Sequence, residues 1–203
     1  MGSLPLALLA HPSFPASNLK DLVAQAKAKP GGFTYASFGS ATSSHFGGEM
    51  FKLAAGIDLL HVPYKGSAPA MQDLIGGQVQ LSVDTVVAAK PQVAAGRVKP
   101  IALLSAKRSA GLPGVPTVAE SGYPGFVAEP WVAVVAPRGL PPAVQQVLVK
   151  AFADSMADPA VRAELEKAGM DVAYEPAAAY QDRLARELPL MRATVHKARI
   201  TAE

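Results

Sequence analysis

The sequence contains no cysteine. Disulfides, thiolate zinc sites and cysteine nucleophiles are therefore excluded. It also lacks any apolar run close to the ~20 residues that a membrane-spanning helix needs. An early apolar run at residues 4–10 contains Pro5 and follows no basic segment, so we predict a buried strand there and not a signal peptide. If the protein is exported, we expect its targeting segment to lie outside this sequence.

Charge is scarce as well. The formal net charge is only +3, and the nearest approach to a basic cluster is the pair Lys107 and Arg108. A nucleic-acid-binding protein is expected to show a basic stripe with interleaved aromatic residues or a reading helix, and the sequence shows neither. The four histidines lie in separate predicted elements, without the spacing of metal ligands. We therefore predict no nucleic-acid partner, no metal and no cofactor.

Alanine, glycine and proline are abundant, and half of the residues are hydrophobic. This composition is typical of helices packed on sheets with short connections, in one large domain or two small lobes. The spacing of apolar residues predicts helices at 18–29, 42–55, 67–75 and 86–95, and strands at 33–37, 59–63, 78–84 and 98–105. Alternating strands and helices are the signature of parallel βαβ units, so the predicted fold class is α/β.

The last third of the chain has a different pattern, with more charge and longer helical segments. An apolar stretch over 126–136, which includes Trp131, predicts a long strand. Helices are predicted at 142–157, 158–168 and 176–199, with a short strand at 170–174. Residues 122–125 are the expected boundary between two lobes.

Three turns could hold a ligand, because each follows the carboxyl end of a predicted strand, where open α/β sheets bind ligands. The candidate residues of the first turn are Ser37, Gly39, Ser40, Thr42 and Ser43. Hydroxyls, a flexible backbone and a helix start together suit a carboxylate, since free amide groups and the helix dipole attract anions. Ordinary N-capping by Thr42 or Ser43 is an equal alternative. No Gly-Lys-Ser/Thr follows, so the turn is not a P-loop.

The second turn offers Tyr64, Lys65 and Gly66, which supply a phenol, an ammonium group and a permissive backbone. The alternative is that Lys65 is simply solvated and Tyr64 packs over the sheet edge. The third turn closes a strand with Asp84, which either caps the next helix or accepts a hydrogen bond from a ligand.

An enzymatic function has less support. Ser43 or Ser44 could be proposed as a nucleophile with His45 or His61 as its base. However, the sequence has no Gly-x-Ser-x-Gly elbow. Ser44 and His45 are also neighbours on a predicted helix, where adjacent side chains point apart. We therefore predict that the protein is not an enzyme and has no catalytic residues.

Four stretches, taken together, resemble a known family. They are Ser37 to His45, the run His61-Val62-Pro63-Tyr64-Lys65-Gly66, the run Gly76-Gly77-Gln78-Val79 followed by Asp84, and the run Leu112-Pro113-Gly114-Val115-Pro116-Thr117-Val118-Ala119-Glu120. In order and spacing they resemble the substrate-binding proteins of tripartite tricarboxylate transporters, the Bug family, and the resemblance extends over residues 4–203. Each motif alone is weak, and the combination is specific.

The resemblance implies a type II-like periplasmic binding protein fold, in which two lobes close on a ligand. It implies an extracytoplasmic receptor that serves membrane transporter subunits, and a small carboxylate ligand: a di- or tricarboxylate, an acidic amino acid or an aromatic acid. It places the 37–43 turn and the Tyr64 to Gly66 turn in the ligand cleft, and supports Asp84 less. Two positions depart from the family: Ala41 stands where glycine is common, and Phe38 where a small residue is common.

Family members begin with a signal peptide and a part of lobe one that carries a glycine-rich loop, and nothing like it occurs here. We therefore expect a complete α/β lobe at 10–122, with 1–9 and 123–203 as hinge strands and an incomplete lobe one. Such a lobe exposes apolar surface, so we expect a possible homo-oligomer through it and weak or absent solute binding by this chain alone. The alternative function is a truncated paralogue that acts as a protein-interaction module.

Overall fold

A computed structural model describes residues 2–201. The strands are β1 Gly2–Ser3, β2 Leu6–Ala10, β3 Thr34–Ser37, β4 Leu60–Pro63, β5 Leu81–Thr85, β6 Lys99–Leu103, β7 Trp131–Val132 and β8 Asp171–Val172. The helices are α1 Leu19–Ala28, α2 Ser43–Ala55, α3 Ser67–Ile75, α4 Val86–Ala94, α5 Pro142–Ala157, α6 Pro159–Lys167 and α7 Ala177–Ala198. This mixture of elements confirms the predicted α/β class.

Five strands form the main sheet, in the order β4-β3-β5-β2-β6. β3 runs parallel to β4 and β5, as the predicted βαβ units require, whereas β2 is antiparallel to both of its neighbours. Every residue of β2 is at most 1% exposed. Five apolar residues in a row suit a strand that is covered on both faces. Residues 6–9, which the expected division assigned to the hinge, therefore lie inside this sheet.

Helices cover both faces of the main sheet. The side chains of β2 alternate between two hydrophobic clusters, because successive residues of a strand point to opposite faces. The buried faces of α1 and α2 belong to the first cluster, and those of α3 and α4 belong to the second. We call residues 6–128 the sheet unit.

A second sheet has the order β7-β1-β8 and consists of two-residue strands. The predicted long strand over 126–136 is wrong for most of its length. Phe126 and Ala128 instead pack against the main sheet, where the Ala128 amide donates to the Leu104 carbonyl at 2.8 Å. After β7 the chain leaves both sheets, and Val135 is 74% exposed. The first part of the apolar run therefore packs against the main sheet, and its last part lies on the surface of the protein.

The helices α5 to α7 and the small sheet form a second body, which we call the helical unit (residues 2–3 and 131–200). The bounds of α5 agree with the predicted helix at 142–157. No residue of α5 or α6 is buried, and the apolar side chains of Val147 and Leu148 are more than half exposed. The helical unit meets the sheet unit where α7 contacts α2.

Candidate functional site

The first two predicted turns meet at one edge of the main sheet. Ser37 ends β3 and Pro63 ends β4, and these strands are parallel neighbours. The Tyr64 amide donates to the Ser37 carbonyl at 3.0 Å, and Ser37 Oγ lies 2.7 Å from His61 Nε2. The carboxyl ends of parallel strands therefore bring the two turns together.

The backbone amides of the first turn are largely used within the turn itself. Gly39 N donates to Ser37 Oγ at 3.3 Å, Ala41 N to His45 Nδ1 at 3.1 Å and Thr42 N to the Gly39 carbonyl at 3.4 Å. The free amide groups expected to attract an anion at this turn are therefore already hydrogen-bonded at residues 39, 41 and 42. Their hydrogen bonds fix the shape of the turn instead.

Two residues of this turn have a positive φ angle, which favours glycine. Gly39 has φ +150° and Ala41 has φ +56°. A Cβ on Gly39 would lie 3.0 Å from Thr42 Cγ2, so the position is both strained and crowded for other residues. Ala41 carries a Cβ in a region that favours glycine. Glycine would therefore adopt this conformation more easily than alanine. In this chain the Ala41 amide forms a hydrogen bond to His45 Nδ1 in the same conformation.

Thr42 is the N-cap of α2, as one alternative predicted. Its Oγ1 donates to the Gly39 carbonyl at 2.7 Å and accepts a weak hydrogen bond from the His45 amide at 3.5 Å. Ser43 is the first residue of α2 and is partly exposed. Within residues 2–201, neither the amide nor the hydroxyl of Ser43 has an acceptor in hydrogen-bonding range. Ser43 is therefore a donor of this turn that is available to an anion.

The second turn presents an exposed cation. Lys65 is exposed and forms no ion pair with any residue between 2 and 201. The Tyr64 hydroxyl donates to Asp73 Oδ2 at 2.6 Å, and burial together with this bond raises the pKa of Tyr64 to about 12. Gly66 has φ +120°, which only glycine adopts readily. The Lys65 ammonium group is therefore available to a ligand, whereas the Tyr64 hydroxyl already donates its proton to Asp73.

Asp84 lies at the end of β5 and is fully buried. Its carboxylate accepts hydrogen bonds from Ser67 Oγ and from the Thr85 amide, both at 2.7 Å. Burial raises the pKa of Asp84, and these hydrogen bonds oppose the rise. Because Ser67 is the first residue of α3, Asp84 already places an anion at the N-terminus of that helix.

Three stacked rings lie behind the first turn. The rings of His45 and His61 are stacked with centroids 3.7 Å apart, and the Tyr35 ring also stacks on His61, with centroids 5.0 Å apart. Glu49 Oε1 accepts from the Tyr35 hydroxyl at 2.6 Å and pairs with Lys52 Nζ at 2.9 Å. Burial raises the pKa of Tyr35 and lowers the pKa of both histidines. Sequence reasoning missed this cluster because its members come from three elements.

Ser43 also lines a cavity of about 270 Å³ between the sheet unit and the helical unit. Its other lining residues are Phe46, Gly47, Met50, Ala128, Glu129, Pro130, Trp131, Glu187 and Met191. Trp131 Nε1 donates to Glu187 Oε2 at 2.8 Å across one side of it. The walls come from α2, the segment 128–131 and α7, so sequence reasoning had no signal for this cavity.

Neither Ser43 nor Ser44 forms a hydrogen bond with His45 or His61, so the geometry does not support either serine as the proposed nucleophile. Ser44 is fully buried, and its hydroxyl donates to the Val83 carbonyl at 2.5 Å. His45 Nδ1 is occupied by the Ala41 amide. Residues 2–201 contain no group of three or more side chains placed to hold a metal ion. In the same range, no helix combines the length and the hydropathy needed to cross a membrane.

Comparisons with known proteins identify the family of the chain. The family described as tripartite tricarboxylate transporter family receptor (TctC) matches residues 1–197. Protein BugT of Bordetella pertussis is 40% identical over 131 residues, which are 64% of this chain and 40% of that protein. The chain therefore spans about two fifths of this curated relative.

Two solved structures are similar over almost the whole chain. One is R. palustris Rpa4515 with adipate, with a TM-score of 0.83 and 30% identity, covering 99% of this chain and 67% of that chain. The other is MatC (Rpa3494) from Rhodopseudomonas palustris with bound malate, with a TM-score of 0.78 and 27% identity, covering 96% of this chain and 67% of that chain. This chain spans about two thirds of both.

Proposed function

Because the chain belongs to the tripartite tricarboxylate transporter receptor family, we propose that it holds one end of a small carboxylate and serves membrane subunits of such a transporter. The family consists of transporter receptors, which bind solutes and do not catalyse reactions. The observation that carries the proposal is Ser43, whose amide and hydroxyl have no acceptor among residues 2–201 and lie at the start of α2.

Of the two helices that follow the turns meeting at Ser37 and Tyr64, α2 has the better N-terminus for an anion. Both α2 and α3 begin at the carboxyl edge of the main sheet, and both carry the positive end of a helix dipole. At α3 the carboxylate of Asp84 already occupies this position. At α2 the first turn contains no acidic residue. A ligand carboxylate therefore binds at Ser43, and the role that we assign to Asp84 is to fix the start of α3.

The second turn supplies a charge for the rest of the ligand. Lys65 has no anionic partner among residues 2–201 and projects from the turn that is hydrogen-bonded to Ser37. A second carboxylate on the ligand would pair with it, as a charge-assisted hydrogen bond. Solved relatives with adipate and with malate support a dicarboxylate. Tyr64 contributes its ring face, because its hydroxyl proton is directed to Asp73.

We further propose that the sheet unit and the helical unit are the two bodies between which the ligand lies. The cavity beside Ser43 is bounded by both of them. Movement about the segment 128–131 and β1 would close it and would convert occupancy into a shape that the transporter reads. Such a receptor acts in the periplasm, where the family works.

A chemical-shift titration of the ¹⁵N-labelled chain with adipate and malate tests the proposal, because it detects millimolar affinity. We expect the amide signals of Thr42, Ser43 and Lys65 to move, since these groups surround the carboxylates. Ser43→Ala should reduce the shifts by removing one donor, and Ser155→Ala on exposed α5 should leave them unchanged. Shifts confined to other regions, or equal shifts in Ser43→Ala, would contradict the assignment.

A second candidate function is a protein-interaction module, and the exposed face of α5 favours it. Val147, Leu148 and Val149 are each at least half exposed, and Val134 and Val135, in the same unit, are more exposed still. Exposed apolar side chains in this number are expected where another protein binds. Light scattering distinguishes the two functions. A stable dimer that Leu148→Asp converts to a monomer supports the module, whereas a monomer at all concentrations counts against it.

A further inference from the structure

An imidazole holds the first turn from behind. Ala41 N donates to His45 Nδ1 at 3.1 Å. A backbone amide can only donate, so Nδ1 must carry a lone pair and the ring proton must lie on Nε2. Ala41 has φ +56°, a conformation that is unfavourable for a residue with a Cβ. The hydrogen bond to His45 therefore compensates for the backbone strain at Ala41.

The surroundings keep this ring neutral. His61 stacks on it at 3.7 Å, and two protonated rings at this distance would repel each other. The other titratable groups that face the pair are Tyr35 from β3 and Glu49 and Lys52 from α2. Burial lowers the pKa of His45, and burial with the charges of His45 and Lys52 lowers that of His61 to about 4. Glu49 opposes the shift at His45.

We propose that His45 is a positioning residue for the carboxylate site and that it holds the turn in its binding conformation only while Nδ1 is unprotonated. A proton on Nδ1 converts the acceptor into a donor that points at the Ala41 amide. The bond is then lost, and Ala41 leaves its left-handed conformation. Because Thr42 and Ser43 follow directly, the anion site loosens as the pH falls. This consequence rests on the proposed function, whereas the contact itself does not.

The direction of the pH effect follows from the lowered pKa. His45 binds a proton less readily in the folded chain than at its ordinary pKa of 6.5. Its contribution to the folded turn is therefore complete above about pH 6.5 and is lost as the pH falls through the lowered value. A proton on His61 is also disfavoured, because burial and the charges of His45 and Lys52 lower its pKa to about 4. It would not break a contact of the turn, since His61 Nε2 would then donate to Ser37 Oγ while Ser37 donates to the Gly39 carbonyl.

Amide hydrogen exchange of Ala41 tests this inference without a ligand. The protection of the Ala41 amide, corrected for its intrinsic exchange rate, is measured at about pH 7.5 and at the lowest pH at which circular dichroism still shows the folded chain. In the wild type we expect it to fall about tenfold, the loss that one hydrogen bond accounts for. His45→Asn keeps an acceptor that does not titrate, so protection should persist at both pH values. His45→Ala should lack protection at both, and His196→Asn, at the exposed end of α7, should behave as the wild type.

Constant protection of Ala41 in the wild type, or the same fall in His45→Asn, would overturn the inference. If His45→Ala fails to fold, as circular dichroism would show, the comparison of the wild type with His45→Asn still decides. A parallel titration with adipate compares the affinities of the wild type and of His45→Asn at both pH values. Protonation of adipate affects both proteins equally, so it does not change the ratio of their affinities. At low pH the wild type should bind adipate more weakly than His45→Asn. Failure of both to bind adipate, with the expected Ala41 protection, counts against the proposed function and supports the role of His45 in the turn.

Discussion

The sheet unit and the helical unit differ sharply in how much they bury. Among the buried hydrophobic residues between positions 2 and 201, only Ile200 lies beyond Ala128. The sheet unit covers both faces of β2, whereas α5 and α6 have no buried residue. Burial of apolar surface is the dominant favourable contribution to folding. The sheet unit therefore supplies most of the stability of the described chain.

This difference also separates two roles at the candidate site. The sheet unit holds Ser43 on a turn that is fixed by internal hydrogen bonds and by the rings behind it. The helical unit contributes α7 as the opposite wall of the cavity, with few buried contacts to hold it in place. A rigid binding turn beside a weakly anchored wall suits a receptor that closes on its ligand.

The largest expected effect contrasts one leucine from each unit. Leu8→Ala, in the fully covered strand β2, should lower the free energy of unfolding by about 2–5 kcal/mol through lost burial and a new cavity. Leu148→Ala, on exposed α5, should change it by about 0.5 kcal/mol or less. Urea denaturation followed by circular dichroism measures both. Equal losses would show that Leu148 is buried in solution, and would contradict the difference in burial between the two units.

The next effect concerns a buried hydrogen bond. Tyr35→Phe removes the hydroxyl that donates to Glu49 and leaves that carboxylate with Lys52 alone, so we expect a loss of about 1–3 kcal/mol. Tyr174→Phe is the matched change in the helical unit, where the hydroxyl has no hydrogen-bond partner within residues 2–201, and it should be nearly neutral. The same denaturation assay applies. A neutral Tyr35→Phe would mean that the ring cluster does not stiffen the sheet unit.

The smallest effect has the opposite sign. Ala41→Gly should stabilise the sheet unit by about 0.5–1 kcal/mol, because relief of the left-handed strain exceeds the added freedom of glycine in the unfolded chain. Ala54→Gly, at an exposed position in the last turn of α2, should instead cost up to about 1 kcal/mol. A thermal melt of both variants measures the difference. A loss of stability in Ala41→Gly would show that Ala41 is not strained.

Most elements of both units were predictable from local spacing. The bounds of α3 and α5 agree with the sequence, because glycine or proline marks their ends and apolar residues recur at helical intervals. The stretch 126–136 was not predictable, since a short apolar run does not reveal which surfaces it will cover. The antiparallel direction of β2 was also not predicted from its five apolar residues.

The candidate site was predictable only in part. Strand ends and small polar residues pointed to the two turns that meet at Ser37 and Tyr64. Which backbone amides remain free to bind a ligand depends on hydrogen bonds that form only in the folded chain, such as the bond from the Ala41 amide to His45. Such bonds could not be predicted from the sequence. The same holds for Asp84, whose spacing left capping and ligand binding equally open.

A crystal structure of the chain soaked with adipate tests the central claim most directly. The account predicts one carboxylate within hydrogen-bonding distance of the Ser43 amide and hydroxyl, with Lys65 near the other. A carboxylate bound at α3 beside Asp84, or electron density that shows the Ser43 turn empty at saturating adipate, would contradict it.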